Sequence, residues 1–140
     1  MTTTHAAHRG TAMHSMTERF TAALHTIDSD RDVAPMLDLT GDDAELMKLD
    51  ERNETSGKDG AKTFWEDYRN VFGDLETTFT HSVVGEDSAA LEWTSTGTLR
   101  SGKPFRYRGG TVIEGDEDRL TGVRTYYDSA AFLQERAGTA

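Results

Sequence analysis

The side chains able to move a proton or hold a charge lie on segments that read as strands. Lys48 and Asp50 are two apart in Ala44 to Arg52, so alternation sets them on one face. Facing inward, Lys48 would serve as a desolvated base, an amine nucleophile or an anion anchor. Facing outward, it is a solvated lysine. Asp50 is either its partner at a pocket mouth or a surface carboxylate. His81 alternates with Phe79 and Val83, which places it on a buried face, as a satisfied core histidine or as an acid–base catalyst. Arg106 and Arg108 flank Tyr107. The apolar pattern turns Phe105 and Tyr107 inward and both arginines outward. An inward Arg108 would fix a carboxylate, enolate or phenolate, and a bulge at Gly109-Gly110 would allow it.

Composition narrows the classes. The chain has 140 residues, enough for one domain, and no cysteine. Disulfides, thiolate catalysis and Cys-ligated zinc are excluded. A formal net charge of −10 repels phosphates and anionic lipid, so neither nucleic acid nor membrane is expected as a partner. No apolar run approaches the roughly 20 residues that span a bilayer. Met1 to Gly10 has no apolar core of a secretory signal, and a cytoplasmic protein is expected. His5, His8 and His14 lack interleaved carboxylates, so no metal site is expected. No nucleotide loop, zinc-protease helix or nucleophile elbow occurs, and no cofactor is expected.

The elements that must position these groups follow from periodicity. Residues 1–12 have none and are expected to form a disordered tail. Met13, Met16, Phe20, Ala23, Leu24 and Ile27 recur at threes and fours and predict a helix. Its stripe is core, with Met16 and Phe20 also able to line a pocket. Ser29-Asp30 can cap a short second helix through Val33 to Leu37. Gly41-Asp42-Asp43 reads as a turn, Ala44 to Arg52 as a strand and Thr55 to Gly60 as a loop. A third helix starts at Lys58 or Asp59 and runs to about Phe72, with Phe64, Trp65 and Tyr68 on one stripe. Four strands follow: Leu75–Val84, Ser88–Leu99, Phe105–Glu114 and Leu120–Tyr127. Ser129 to Leu133 should pack back on the body. The order α-α-β-α-β-β-β-β indicates an α+β fold, a curved antiparallel sheet wrapped around N-terminal helices.

Several stretches carry a resemblance: Asp42-Asp43-Ala44, Ser56-Gly57, Trp93-Thr94 with Gly97-Thr98, and Val123-Arg124-Thr125-Tyr126-Tyr127-Asp128. Their order and spacing resemble the nuclear transport factor 2-like superfamily. Nearest are SnoaL-like proteins, related to polyketide cyclases and ketosteroid isomerases. The resemblance covers residues 13–135 and leaves 136–140 as a frayed end. It implies a cone-shaped α+β barrel with a deep small-molecule pocket, and a homodimer paired through the outer face of the sheet. It assigns Thr125 and Tyr127 to the pocket, with Trp65, Tyr68 and Trp93 as aromatic wall. Ketosteroid isomerases carry an Asp base where this chain has Lys48, and an acid donor near Gly110. SnoaL-like cyclases carry an Asp where this chain has Thr125, which cannot act as a carboxylate base. Their partner His falls near Arg108.

The resemblance and the residues together suggest a small-molecule enzyme. The expected reaction is a cofactor-independent isomerisation, cyclisation or dehydration of an oxygenated, largely apolar metabolite. Asp50, His81, Arg108 and Tyr127 are the expected catalytic set. Phe20, Lys48, Trp65, Tyr68, Trp93 and Thr125 are the expected ligand contacts. The alternative is a non-catalytic binding or dimerisation module of the same fold.

Overall fold

The computed structural model describes residues 2–48 and 50–132, with side chains from Ala12 to Lys48 and from Thr55 to Phe132. The elements are α1 (Thr2–Asp30), α2 (Ala34–Leu39), β1 (Thr40–Lys48), β2 (Asp50–Ser56), α3 (Gly57–Asn70), β3 (Phe72–Val84), β4 (Ser88–Leu99), β5 (Pro104–Gly115) and β6 (Leu120–Tyr127).

Helix α1 begins at Thr2, within the stretch expected to be a tail. Once a stripe is anchored, each further helical residue costs little, and Ala6, Ala7 and Ala12 are strong helix formers. The expected stripe is buried throughout, from Met13 through Ile27. The helix ends at Arg31, whose φ of 59° is left-handed and whose N–H donates to the Ile27 carbonyl. Asp32, rather than Ser29-Asp30, supports α2: its Oδ1 accepts from the Ala34 N–H at 3.0 Å.

One sheet of six strands runs in the order β2-β1-β6-β5-β4-β3. It is mixed, not wholly antiparallel, because β1 runs parallel to β6. It also stays open, with β2 and β3 at its two edges rather than closed on itself. Two local readings change with it. Gly41-Asp42-Asp43 is not a turn but lies inside β1, where the pairing with β6 shifts register between Thr40 and Glu45. Residues 50–56, read as a strand end and a loop, form the edge strand β2. An edge strand can be held by its backbone ladder alone, without an apolar pattern to announce it.

Helices α1 and α3 cover one face of the sheet, and the main core lies between the layers around Phe20, Ile27, Leu91, Ile113 and Val123. A second cluster joins Phe72, Leu75, Trp93, Phe105 and Tyr107, with Phe132 packed on it. Phe132 lies 4.6 Å from Phe105 between ring centres, so the chain folds back as far as Phe132, while Leu133 lies outside the described residues. Among the described residues, no helix is long and apolar enough to cross a membrane.

Candidate functional site

Alternation on β4, β5 and β6 turns Trp93, Ser95, Tyr107, Thr111, Thr125 and Tyr127 towards the helices. Cross-strand register then sets them in rows. Thr77 pairs with Ser95, Ser95 with Tyr107, and Thr111 with Thr125. Lys48 extends the last row, since β1 brings it opposite Thr125. Helix α1 contributes Phe20 and Leu24, and α3 contributes Phe64, Trp65 and Tyr68. Together they line a cavity that opens to solvent.

The polar groups of this cavity are mostly hydroxyls, and several are already paired. Trp93 Nε1 donates to Thr111 Oγ1 at 2.9 Å, and Thr111 bonds Thr125 at 2.9 Å. Thr77 and Ser95 share a hydrogen bond of 2.7 Å. Gly109 makes the Trp93 contact possible. A Cβ there would lie 2.8 Å from the Trp93 ring and 2.2 Å from the Tyr126 carbonyl. Trp65 Nε1 is buried without an acceptor. Burial pushes the phenols of Tyr68, Tyr107 and Tyr127 up, so all three keep their protons at neutral pH. The site therefore offers donors and a lysine side chain inside an aromatic wall, which suits an acceptor oxygen on an apolar body.

All six expected ligand contacts, Phe20, Lys48, Trp65, Tyr68, Trp93 and Thr125, line this cavity, and so does Tyr127. Two expected catalytic residues do not. His81 is turned outward by a register shift between Phe79 and His81, and its Nδ1 lies 3.5 Å from Glu92 Oε1 on the exposed face. Arg108 is exposed because the β4–β5 register runs unbroken through Gly109 and Gly110, so no bulge inverts the alternation. Both residues border a shallow outer groove with Glu92, Tyr126 and Asp128. The Asp50 side chain lies outside the described residues. Asp128 caps the following turn through the Ala130 N–H at 3.0 Å.

Asp28 was not among the expected residues. It is 3% exposed, in the last turns of α1, and its Oδ1 accepts from the Tyr68 hydroxyl at 2.7 Å. Burial raises its pKa against the pull of the Thr77 and Tyr68 hydroxyls, Arg69 and His25. Its Oδ2 is buried and has no hydrogen-bond partner. One signal for Asp28 was present in the sequence. Phe20, Leu24 and Asp28 recur at intervals of four, which puts a carboxyl on the buried stripe.

Solved structures share this architecture. A candidate isomerase from Rhodopseudomonas palustris superposes with a TM-score of 0.76 at 18% identity, over 89% of this chain and 96% of that one. TerC, co-crystallised with polyporic acid, gives 0.73 at 17% identity, over 86% and 96%. A protein of ketosteroid isomerase-like fold from Catenulispora acidiphila, in complex with trimethylamine, gives 0.71 at 14%, over 81% and 88%. No curated protein sequence matches the chain. The profile of the SnoaL-like domain matches residues 17–123, from the middle of α1 into β6. That span holds most of the chain and most of the cavity wall, and the chain belongs to the SnoaL-like domain family.

Proposed function

We propose that this chain takes a small, largely apolar molecule with oxygen substituents into the cavity. There it catalyses a cofactor-independent acid–base reaction, an isomerisation, cyclisation or dehydration. One observation carries the reading: aromatic walls, protonated phenols and the Lys48 side chain converge on a single cavity. Lys48 faces the charge that develops on the ligand, in a site where few waters compete. The Trp65 ring forms part of the wall. The relatives crystallised with polyporic acid and with trimethylamine support small-molecule binding by this fold.

The second reading is a non-catalytic binding module. The outward positions of His81 and Arg108 favour it, because they leave Tyr127 as the only described side chain of the expected catalytic set at the cavity, with Lys48 as a further lining residue. In either reading the protein works as a cytoplasmic homodimer paired through the outer face of the sheet, where Val83 and Tyr126 are exposed.

Both tryptophans of the chain line the cavity, so intrinsic fluorescence reports on its contents. Naphthols, tetralones and their carboxylated analogues are expected to quench it saturably. Lys48→Met is expected to weaken the carboxylated ligands by about tenfold and the neutral ones far less, since a charged hydrogen bond contributes roughly 1.5–3 kcal/mol. If none of these compounds quenches saturably, the binding reading fails.

A further inference from the structure

Asp28 is a costly residue for a merely structural cross-tie. An asparagine could accept the same Tyr68 hydrogen bond without carrying a charge into the interior. Yet the chain keeps a carboxyl there, 3% exposed, with one oxygen unpartnered. Arg69 does not neutralise it by direct bonding, because its nitrogens donate to the carbonyls of Asp28, Phe72 and Gly73. Five groups act on or around the carboxyl: Tyr68 and Arg69 from α3, Thr77 from β3, Tyr107 from β5 and His25 from α1 itself. Asp28 does not line the cavity, but Tyr68 and Thr77 do. Tyr68, which lines the cavity and bonds Asp28 through its hydroxyl, thus joins the wall to a buried proton acceptor.

We infer that Tyr68 and Asp28 form a two-step proton path, in which Tyr68 takes a proton from the bound molecule while passing its own to Asp28. The inference rests on the enzymatic reading above. The C–H or O–H bond of the ligand breaks, and its electron pair stays on the ligand as an enolate or phenolate. A new O–H bond forms on Tyr68 as its old one breaks, and Asp28 Oδ1 gains that proton. Negative charge has then moved from Asp28 to the ligand, where Lys48 offsets it. Return of the proton to a different ligand atom completes an isomerisation and leaves the protein unchanged. Tyr68 is the group that touches the substrate; Asp28 acts through it.

The test is hydrogen–deuterium exchange at carbon, with 2-tetralone as the probe and the full chain as the catalyst. Wild type is expected to accelerate exchange of the tetralone α-hydrogens over buffer. Asp28→Asn and Tyr68→Phe are each expected to lose on the order of a hundredfold, the low end of what a positioned acid–base group contributes. Tryptophan quenching by tetralone should persist in both, and thermal melting should show both folded. Wild-type exchange should rise with pH through a transition above the usual carboxylate range, because the path needs Asp28 ionised. A structural role would not produce that limb, and Asp28→Asn should lack it. Wild-type levels of exchange in either folded variant would overturn the path. So would a wild type that binds tetralone without accelerating exchange, or a wild-type profile with no such limb. If tetralone does not quench at all, the proton path fails; the cavity reading fails with it only if the naphthols and the carboxylated analogues do not quench either.

Discussion

A carboxyl buried beside a phenol leaves a mark on stability that is independent of any ligand. The Asp28 pKa is raised in the fold, so the folded state holds this proton more tightly than the unfolded chain does. The resulting stability is complete below the unfolded value and is lost as pH rises through the folded one. Asp28→Asn has no such loss. Its melting temperature relative to wild type is therefore expected to improve from acid to neutral pH, and a gap that stays constant with pH would contradict the burial argument. Residues of the wall were legible in advance from two sources: helical spacing put Phe20 on the buried stripe of α1, and the family resemblance assigned Trp65, Tyr68, Trp93, Thr125 and Tyr127 to the pocket. All six line the cavity. Asp28 was not legible because a single acid near a helix end usually belongs to solvent. Its four-residue spacing from Leu24 was the available sign.

Strands carry the next layer of constraint, and two adjacent glycines show how local it is. At Gly109 a Cβ would meet the Tyr126 carbonyl at 2.2 Å and the Trp93 ring at 2.8 Å, and the backbone oxygen cannot yield cheaply. At Gly110 the nearest atom, the Leu91 carbonyl oxygen, is 3.6 Å away, an ordinary contact. Gly109→Ala is expected to cost about 1–3 kcal/mol in urea unfolding, and Gly110→Ala less than about 0.5 kcal/mol. Equal effects would refute the packing argument. The same register argument explains what strand reading missed. Alternation was sound for Arg108 but failed at His81, since one shifted residue between Phe79 and His81 reverses every later face. Such a shift depends on the neighbouring strand β4 and leaves no trace in the composition of β3. The edge strand β2 escaped for a related reason: its pairing is between backbones.

Over the whole molecule, helices line one face of the sheet and the other stays open. On that face Val83 is 72% exposed and Tyr126 46%. If that face pairs with a second copy, wild type should sediment as a dimer at micromolar concentration. Val83→Glu should then weaken the association on the order of tenfold with melting unchanged. A monomeric wild type would remove the dimer from the proposal. The α+β class and its helix-before-sheet order were legible from periodicity alone. The parallel contact between β1 and β6 was not, because nothing in either strand encodes its partner's direction.

That contact also sets a timetable for synthesis. Strand β1 is made early, but its neighbour β6 is made last, and the sheet order gives β1 no other link to the meander β3-β4-β5. Until Leu120–Tyr127 has been made, the sheet is in two parts, a hairpin of β1 and β2 and a meander with one flank unpaired, joined through the helices. Non-local closures of this kind pay their entropy before they gain contacts. The nascent chain must therefore wait for its final strand before the cavity has a complete wall.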